Sequence, residues 1–219
     1  DGNEGQKDCA AGALCNLSDN DDNSVAIAAA GGVEVLISLA RDGNEGQKEN
    51  AAGALWNLAY NDDNKAAIAA AGGIEVLVSL ARDGNEAQKE RAAGALWNLS
   101  INDDNEAAIA AAGGIEVFVS LARDGNERQK DCAAGALANL AMNDDNKVAI
   151  AAAGGIEVLV SLARDGNERQ KERAAGALRN LSVNHDNSVA IAAAGGIEVL
   201  IALARDGNEA QKENAAGAL

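Results

Sequence analysis

The residues of this 219-residue chain that could do chemistry are few, and their spacing serves none of the usual reactions. The one histidine, His185, stands in an Asn-His-Asp-Asn stretch where four other copies of the stretch read Asn-Asp-Asp-Asn. General-base or zinc chemistry needs that imidazole beside a nucleophile or further ligands. No second His or Cys lies near it, so it reads as a solvated helix cap. Cys9 and Cys15 lie six residues apart on one predicted helix and cannot pair, and Cys132 is far away in sequence. The glycines of Ala-Gly-Gly-Ile follow no strand and do not form Gly-x-Gly-x-x-Gly, so a dinucleotide cradle is not indicated. Asp19-Asn20-Asp21-Asp22-Asn23 lacks the glycine and the terminal Glu of a calcium loop. The expectation is a protein without catalytic residues, metal or cofactor.

Charge narrows the partners. Lys and Arg number 18 against 34 Asp and Glu, a formal net charge of -16. Nucleic-acid surfaces release counterions through clustered basic groups, and anionic membranes attract the same clusters. Neither partner is expected here. No apolar stretch is long enough to cross a bilayer, and no secretory leader opens the sequence. An odd cysteine count with no disulfide framework points to reduced thiols and an intracellular, cytoplasmic or nuclear, setting.

The elements that carry these residues repeat. Asp1-Gly2-Asn3-Glu4 recurs at Asp42, Asp83, Asp124, Asp165 and Asp206, a period of 41 residues. Units 42–82 and 83–123 differ at only six positions. Proline is absent and aromatics are 2% of residues, which suits small side chains between closely packed, repeated helices. Within 61–101, Asn61-Asp62-Asp63-Asn64 caps a short helix through Ala71, which Gly72-Gly73 ends. Ile74, Leu77, Val78 and Ala81 follow the i, i+3, i+4, i+7 spacing of a second helix, from about Ile74 to Arg82. Asn85, with Gln88 three residues on, opens a third helix by a capping box, running to about Ser100. A strand at Ile74–Leu80 is the alternative, but strand-plus-helix repeats have periods of about 20–29 residues. The period favours an all-α array with three helices per repeat.

Where the copies disagree is informative. Changes of chemical class fall mainly on the third helix, in four columns. The first contains Gly5, Ala87, Arg128 and Arg169. The second contains Cys9, Asn50, Arg91, Cys132 and Arg173. The third is Cys15, Trp56, Trp97, Ala138 and Arg179, and the fourth is Asp19, Tyr60, Ile101, Met142 and Val183. At 100° per residue these columns, the invariant glycines and the invariant asparagines share a stripe about 120° wide, opposite the leucines exemplified by Leu96. Variation confined to one face of a constant scaffold describes a binding surface that can be changed. Free drift of exposed positions is the rival account. It is disfavoured because the linkers Asp-Gly-Asn-Glu and Asn-Asp-Asp-Asn, expected to be exposed, hardly vary. An invariant Asn in a helix, where its propensity is poor, needs a reason. Bonding a ligand backbone is one and bonding a neighbouring repeat is the other.

Ala92-Ala93-Gly94-Ala95-Leu96-Trp97-Asn98-Leu99-Ser100 and Gly113-Gly114-Ile115-Glu116 resemble the armadillo repeat family. The flavour is that of β-catenin-like and plant armadillo proteins, over the whole chain. An engineered or consensus-like armadillo array resembles it equally. The resemblance implies a right-handed α-α superhelix in a single solenoid over 1–219. Its parts would be a leading third helix in 1–19, whole repeats at 20–60, 61–101, 102–142 and 143–183, and a truncated repeat at 184–219. It also implies a concave groove, lined by third helices, that holds an extended peptide. The family's backbone-binding asparagine matches Asn16, Asn57, Asn98, Asn139 and Asn180. Importin-α-like members carry a Trp four residues earlier, where this chain has Gly12, Gly53, Gly94, Gly135 and Gly176, so a nuclear-import role is not implied.

The expected function is therefore a protein-interaction scaffold, and the alternative is a structural or engineered array with no selected ligand. Trp56 and Trp97 would contact apolar residues of the peptide. Arg91, Arg128, Arg169, Arg173 and Arg179 would contact acidic ones, with Arg128 and Arg169 partly offset by Asp131 and Glu172 three residues on. Neither end carries a polar cap, so head-to-tail self-association is expected.

Overall fold

Asparagine and glycine divide the chain into helices by distinct local means. A computed structural model describes residues 2–219. Asp1, the first residue of the leading linker motif, lies outside the described residues. Before each third helix an Asn caps the N-terminus. Asn85 Oδ1 accepts from the Gln88 amide at 3.0 Å, and the Asn85 amide donates to Gln88 Oε1 at 3.1 Å, closing the expected capping box. Before each short first helix another Asn caps through its side-chain oxygen, as Asn61 Oδ1 accepts from the Asn64 amide at 3.1 Å. The paired glycines between first and second helices do different work. Gly72 takes φ 74°, the left-handed conformation that side chains resist. Gly73 begins the next helix so close to the last that a Cβ would stand 2.6 Å from Ile68 Cγ2. The pair turns the chain by 84°.

Residue contacts divide the protein into two compact units, Asp1–Ala112 and Gly113–Leu219. The first contains α1 (Glu4–Leu17), α2 (Asp21–Ala29), α3 (Gly32–Asp42), α4 (Glu45–Leu58), α5 (Asp62–Ala70), α6 (Gly73–Asp83), α7 (Glu86–Leu99) and α8 (Asp103–Ala111). The second contains α9 (Gly114–Asp124), α10 (Glu127–Leu140), α11 (Asp144–Ala152), α12 (Gly155–Asp165), α13 (Glu168–Ser182), α14 (His185–Ala193), α15 (Gly196–Asp206) and α16 (Glu209–Ala218). Every described element is an α-helix. The segment weighed as a strand is α6, one residue longer at each end than its apolar spacing predicted.

In the first unit the third helices α1, α4 and α7 stack in order, with α3 against α4 and α6 against α7. The second unit repeats this with α10, α13 and α16, and with α12 against α13. Leu55, Leu58, Leu96 and Leu99 are fully buried. So are Ala51, Ala52, Ala92 and Ala93, whose small side chains let the helices approach. The stripe opposite the leucines is mixed: Arg128, Arg169 and Arg179 are exposed, whereas Gly94, Asn98 and Cys132 are buried.

The linkers are largely exposed, as expected: Asp83, Asn85, Glu86, Asp62 and Asp63 all are, and buried residues occur at Asn64 within one linker and at Gln88 just beyond the other. Gln88 is 4% exposed; besides closing its capping box it donates from Nε2 to the carbonyl of Glu45 at 2.9 Å, one repeat back. Gln170 bonds the carbonyl of Glu127 at 3.1 Å in the same way, and Gln211 that of Glu168 at 2.9 Å. The last Asn of the Asn-Asp-Asp-Asn linker is buried too: Asn64 donates to Ser24 O at 3.5 Å and Asn187 to Lys147 O at 3.1 Å. Asn105 bonds Leu99 O of its own repeat at 3.2 Å, so capping together with buried bonds at Asn64, Asn105 and Asn187 gives these positions structural work. Their constancy therefore does not count against drift on the third helix.

Candidate functional site

The outward face of the third helices is built on a fixed register between neighbours, in which the side chain of a third-column residue lies against the glycine 38 positions on. In the first unit the Trp56 indole lies flat on Gly94, so close that a Cβ there would stand 2.4 Å from Cε2. Cys15 and Arg91 meet over Gly53, where a Cβ would lie 3.0 Å from Cys15 Sγ and 2.6 Å from Arg91 Nη1. In the second unit Arg179 covers Gly217, with Nε 2.6 Å from the Cβ position. Gly53, Gly94 and Gly217 are thus floors for side chains of adjacent repeats.

The asparagine ladder is engaged with the stack. Asn57 Nδ2 donates to Ser18 Oγ at 3.1 Å and to Cys15 O at 3.4 Å. Asn98 Nδ2 donates to Trp56 O at 3.3 Å, and Asn180 Nδ2 to Ala138 O at 2.9 Å. Asn98 is only 3% exposed, whereas Asn57, Asn139 and Asn180 are half-buried and Asn16 is exposed. Of the two reasons weighed for an invariant Asn, the bond to a neighbouring repeat is therefore realised. The amide nitrogen is used there, and a ligand would meet these side chains through Oδ1.

The arginines are largely answered across helices. Arg91 Nη2 lies 3.2 Å from Glu49 Oε1, Arg173 Nε lies 3.0 Å from Asp131 Oδ1, and Arg179 Nη1 lies 3.7 Å from Glu213 Oε1. Arg173 also donates to the Asp131 carbonyl at 3.4 Å. Asp131, three residues from Arg128 on its own helix, also meets Arg173 of the next repeat. Arg128 and Arg169 are exposed, and Trp56 and Trp97 are half-buried. What the sequence reading missed is the acidic column Asp8, Glu49, Glu90, Asp131, Glu172 and Glu213. Its signal was an unbroken Asp or Glu beside the second variable column.

Titration follows these contacts. Hydrogen bonds from Asn44 and Gln47 hold the Asp8 carboxyl below its ordinary range. Burial pushes the Cys15 thiol up, away from the thiolate a nucleophile needs. The cysteines are free thiols. Burial, then repulsion from Asp103, raises Glu106. His185 is the exposed first residue of α14, which Asn184 caps.

Three-helix repeats bonded rung by rung through their third helices define a solenoid scaffold. The Armadillo/beta-catenin-like repeat model matches residues 20–60, 61–101, 102–142 and 143–183. The chain belongs to that armadillo repeat family, which is a scaffold rather than an enzyme family. No curated protein matches its sequence. Among solved structures it is similar to an engineered protein from a structural genomics programme, with 36% identity, TM-score 0.92, and coverage of 99% of this chain and 90% of that one. It is also similar to a designed armadillo repeat protein, YIII(Dq)4CqI, at 27% identity, TM-score 0.91, and coverage of 97% and 91%. A third is the designed armadillo repeat protein YIII(Dq.V1)4CPAF in complex with the peptide (KR)4, at 26% identity, TM-score 0.87, and coverage of 96% and 90%.

Proposed function

We propose that the protein is an interaction scaffold that holds an extended peptide against the outward faces of its third helices. The observation that carries this reading is the division within one helix. Leucine and alanine on one side are buried without exception in the inner repeats. The opposite side bears Trp56, Arg91 and Arg179 on a glycine floor, with Trp97 half-buried and Arg169 exposed. A designed relative of the same fold holds a peptide. Apolar peptide residues would lie over Trp56 and Trp97. Acidic residues would lie over Arg169, since Arg91 and Arg173 already face carboxylates of their own. The two tryptophans are the chain's whole indole complement, so their emission reports on this face. Peptides selected by display from a random library should shift that emission. Trp56→Ala and Trp97→Ala should weaken binding about tenfold, the size of one buried anchor. Selected peptides that protect amides of the first helices instead, or that are uniformly basic, would overturn the reading.

A further inference from the structure

The register that covers each third-helix glycine leaves one glycine of the second unit open. In the first unit an indole lies on Gly94. The residue that the same register sets against Gly176 is Ala138, whose methyl is too short to cover it. The nearest atoms to a Cβ at Gly176 are those of the Asn214 amide, at 3.5–3.8 Å, an ordinary van der Waals separation. Accordingly Gly176 is half-exposed, whereas Gly53 and Gly94 are buried. The gap is bounded by Ala138, Gly176 and Asn214. Its edges are fixed by bonds from Asn180 Nδ2 to Ala138 O at 2.9 Å and from Asn214 Nδ2 to Glu172 O at 3.3 Å. Arg173 and Arg179 flank it on α13, one helical turn before and after the glycine.

We propose that this gap is a binding subsite for a flat aromatic side chain, Trp or Tyr, of the peptide; the inference rests on the peptide-binding reading above. The protein itself shows the fit, because Trp56 seats an indole on Gly94 between two helices in the same register. The groups that cover this floor elsewhere are planar or small: an indole at Gly94, a guanidinium at Gly217, and a guanidinium with a thiol at Gly53. The flanking arginines are already answered by Asp131 and Glu213, so no free cation stands there to bind an acidic side chain, and apolar ring area favours the aromatic occupant. A ring seated there also restores the apolar contact that Ala138 forgoes.

The test uses the whole chain and N-acetyl-tryptophanamide as probe, followed by amide NMR. The Gly176 amide and the Asn214 side-chain amide should shift in a saturable way, while Gly94, already covered, should not. Ala138→Trp, which supplies the ring from within as Trp56 does, should weaken probe binding at least tenfold. Gly176→Ala, which has room for its methyl, should weaken it several-fold without loss of fold. No shift at Gly176 by about 10 mM, a generous limit for a single-fragment contact, would overturn the proposal, as would unchanged binding in Ala138→Trp. Peptide selections on the parent and on Ala138→Trp then separate the two readings. An aromatic residue enriched at one position on the parent alone supports the subsite. The same peptides from both would sink the subsite and keep the peptide face. Shifts at Gly176 with no peptide recovered would keep the aromatic site and overturn the peptide reading.

Discussion

Replacing glycine by alanine along the third helices should change sign from one repeat to another. In a helix interior, alanine is favoured over glycine by about 0.5–1 kcal/mol, because glycine loses more backbone freedom on folding. At Gly176 the added methyl would meet only ordinary contact with Asn214, so Gly176→Ala should stabilise by that amount. At Gly94 the methyl would stand 2.4 Å from Trp56 Cε2 and 2.6 Å from Cδ2. Carbon atoms settle at roughly 3.5–4.0 Å, so the ring must withdraw by about 1 Å and lose its seat. Overpacking of this kind costs about 1–3 kcal/mol, which exceeds the helical gain. Gly94→Ala should therefore destabilise by roughly 0.5–2 kcal/mol, about 1–8 °C in midpoint for a chain of this length. Urea unfolding followed by far-UV circular dichroism measures both variants, and Trp56 emission reports the displaced ring. In a Trp56→Ala background the cost of Gly94→Ala should shrink or reverse, giving a coupling of at least about 1 kcal/mol. Equal shifts of the same sign at Gly94 and Gly176 would refute the register argument.

Gln88→Ala removes a capping bond and a buried bond to Glu45 of the preceding repeat, and should cost about 2 kcal/mol in urea unfolding. Gln6→Ala loses only the exposed box and should cost less than about 1 kcal/mol. Asn98→Ala leaves the Trp56 carbonyl without its side-chain donor and should lower stability by about 1–2 kcal/mol, with amide exchange quickening in α4 and α7. Glu106 stands where Lys65 and Lys147 pair with the aspartate three residues earlier, so Glu106→Lys should pair with Asp103 and raise the midpoint by a few degrees. Because Glu106 is raised in the folded state, the native chain loses stability as pH climbs from the ordinary carboxylate range through that raised value. The advantage of Glu106→Lys should therefore be largest at neutral pH and shrink as Glu106 protonates, which thermal melts across pH will check.

Much of this protein is legible without coordinates because its signals are local and repeated. The capping boxes at Asn85 and Asn167, the left-handed Gly72, and the apolar spacing of Ile74, Leu77, Val78 and Ala81 depend on residues within one or two turns. A period of 41 residues then requires every repeat to solve the same packing problem. These features set the all-α repeat class, the three helices of each repeat and the buried side of α7. Helical angles alone also placed the variable columns opposite Leu96.

Contacts one or two repeats away were decided only by the tertiary structure. Gln88 announces a cap, but nothing within 82–100 shows that its Nε2 reaches Glu45. Spacing sets Asp131 near Arg128 on its own helix, and only the stack shows that Arg173 of the next repeat lies beside it as well. Asn98 fits ligand binding or locking equally well until α4 presents the Trp56 carbonyl at 3.3 Å. Gly94 and Gly176 are the same letter in the same motif, yet one is covered by an indole and the other is open. The difference rests on residues 56 and 138, which lie 38 positions earlier in each case. Local pattern records what a residue does to its own helix, and only the register of neighbouring helices determines which polar atoms, charges and glycines are left for a partner.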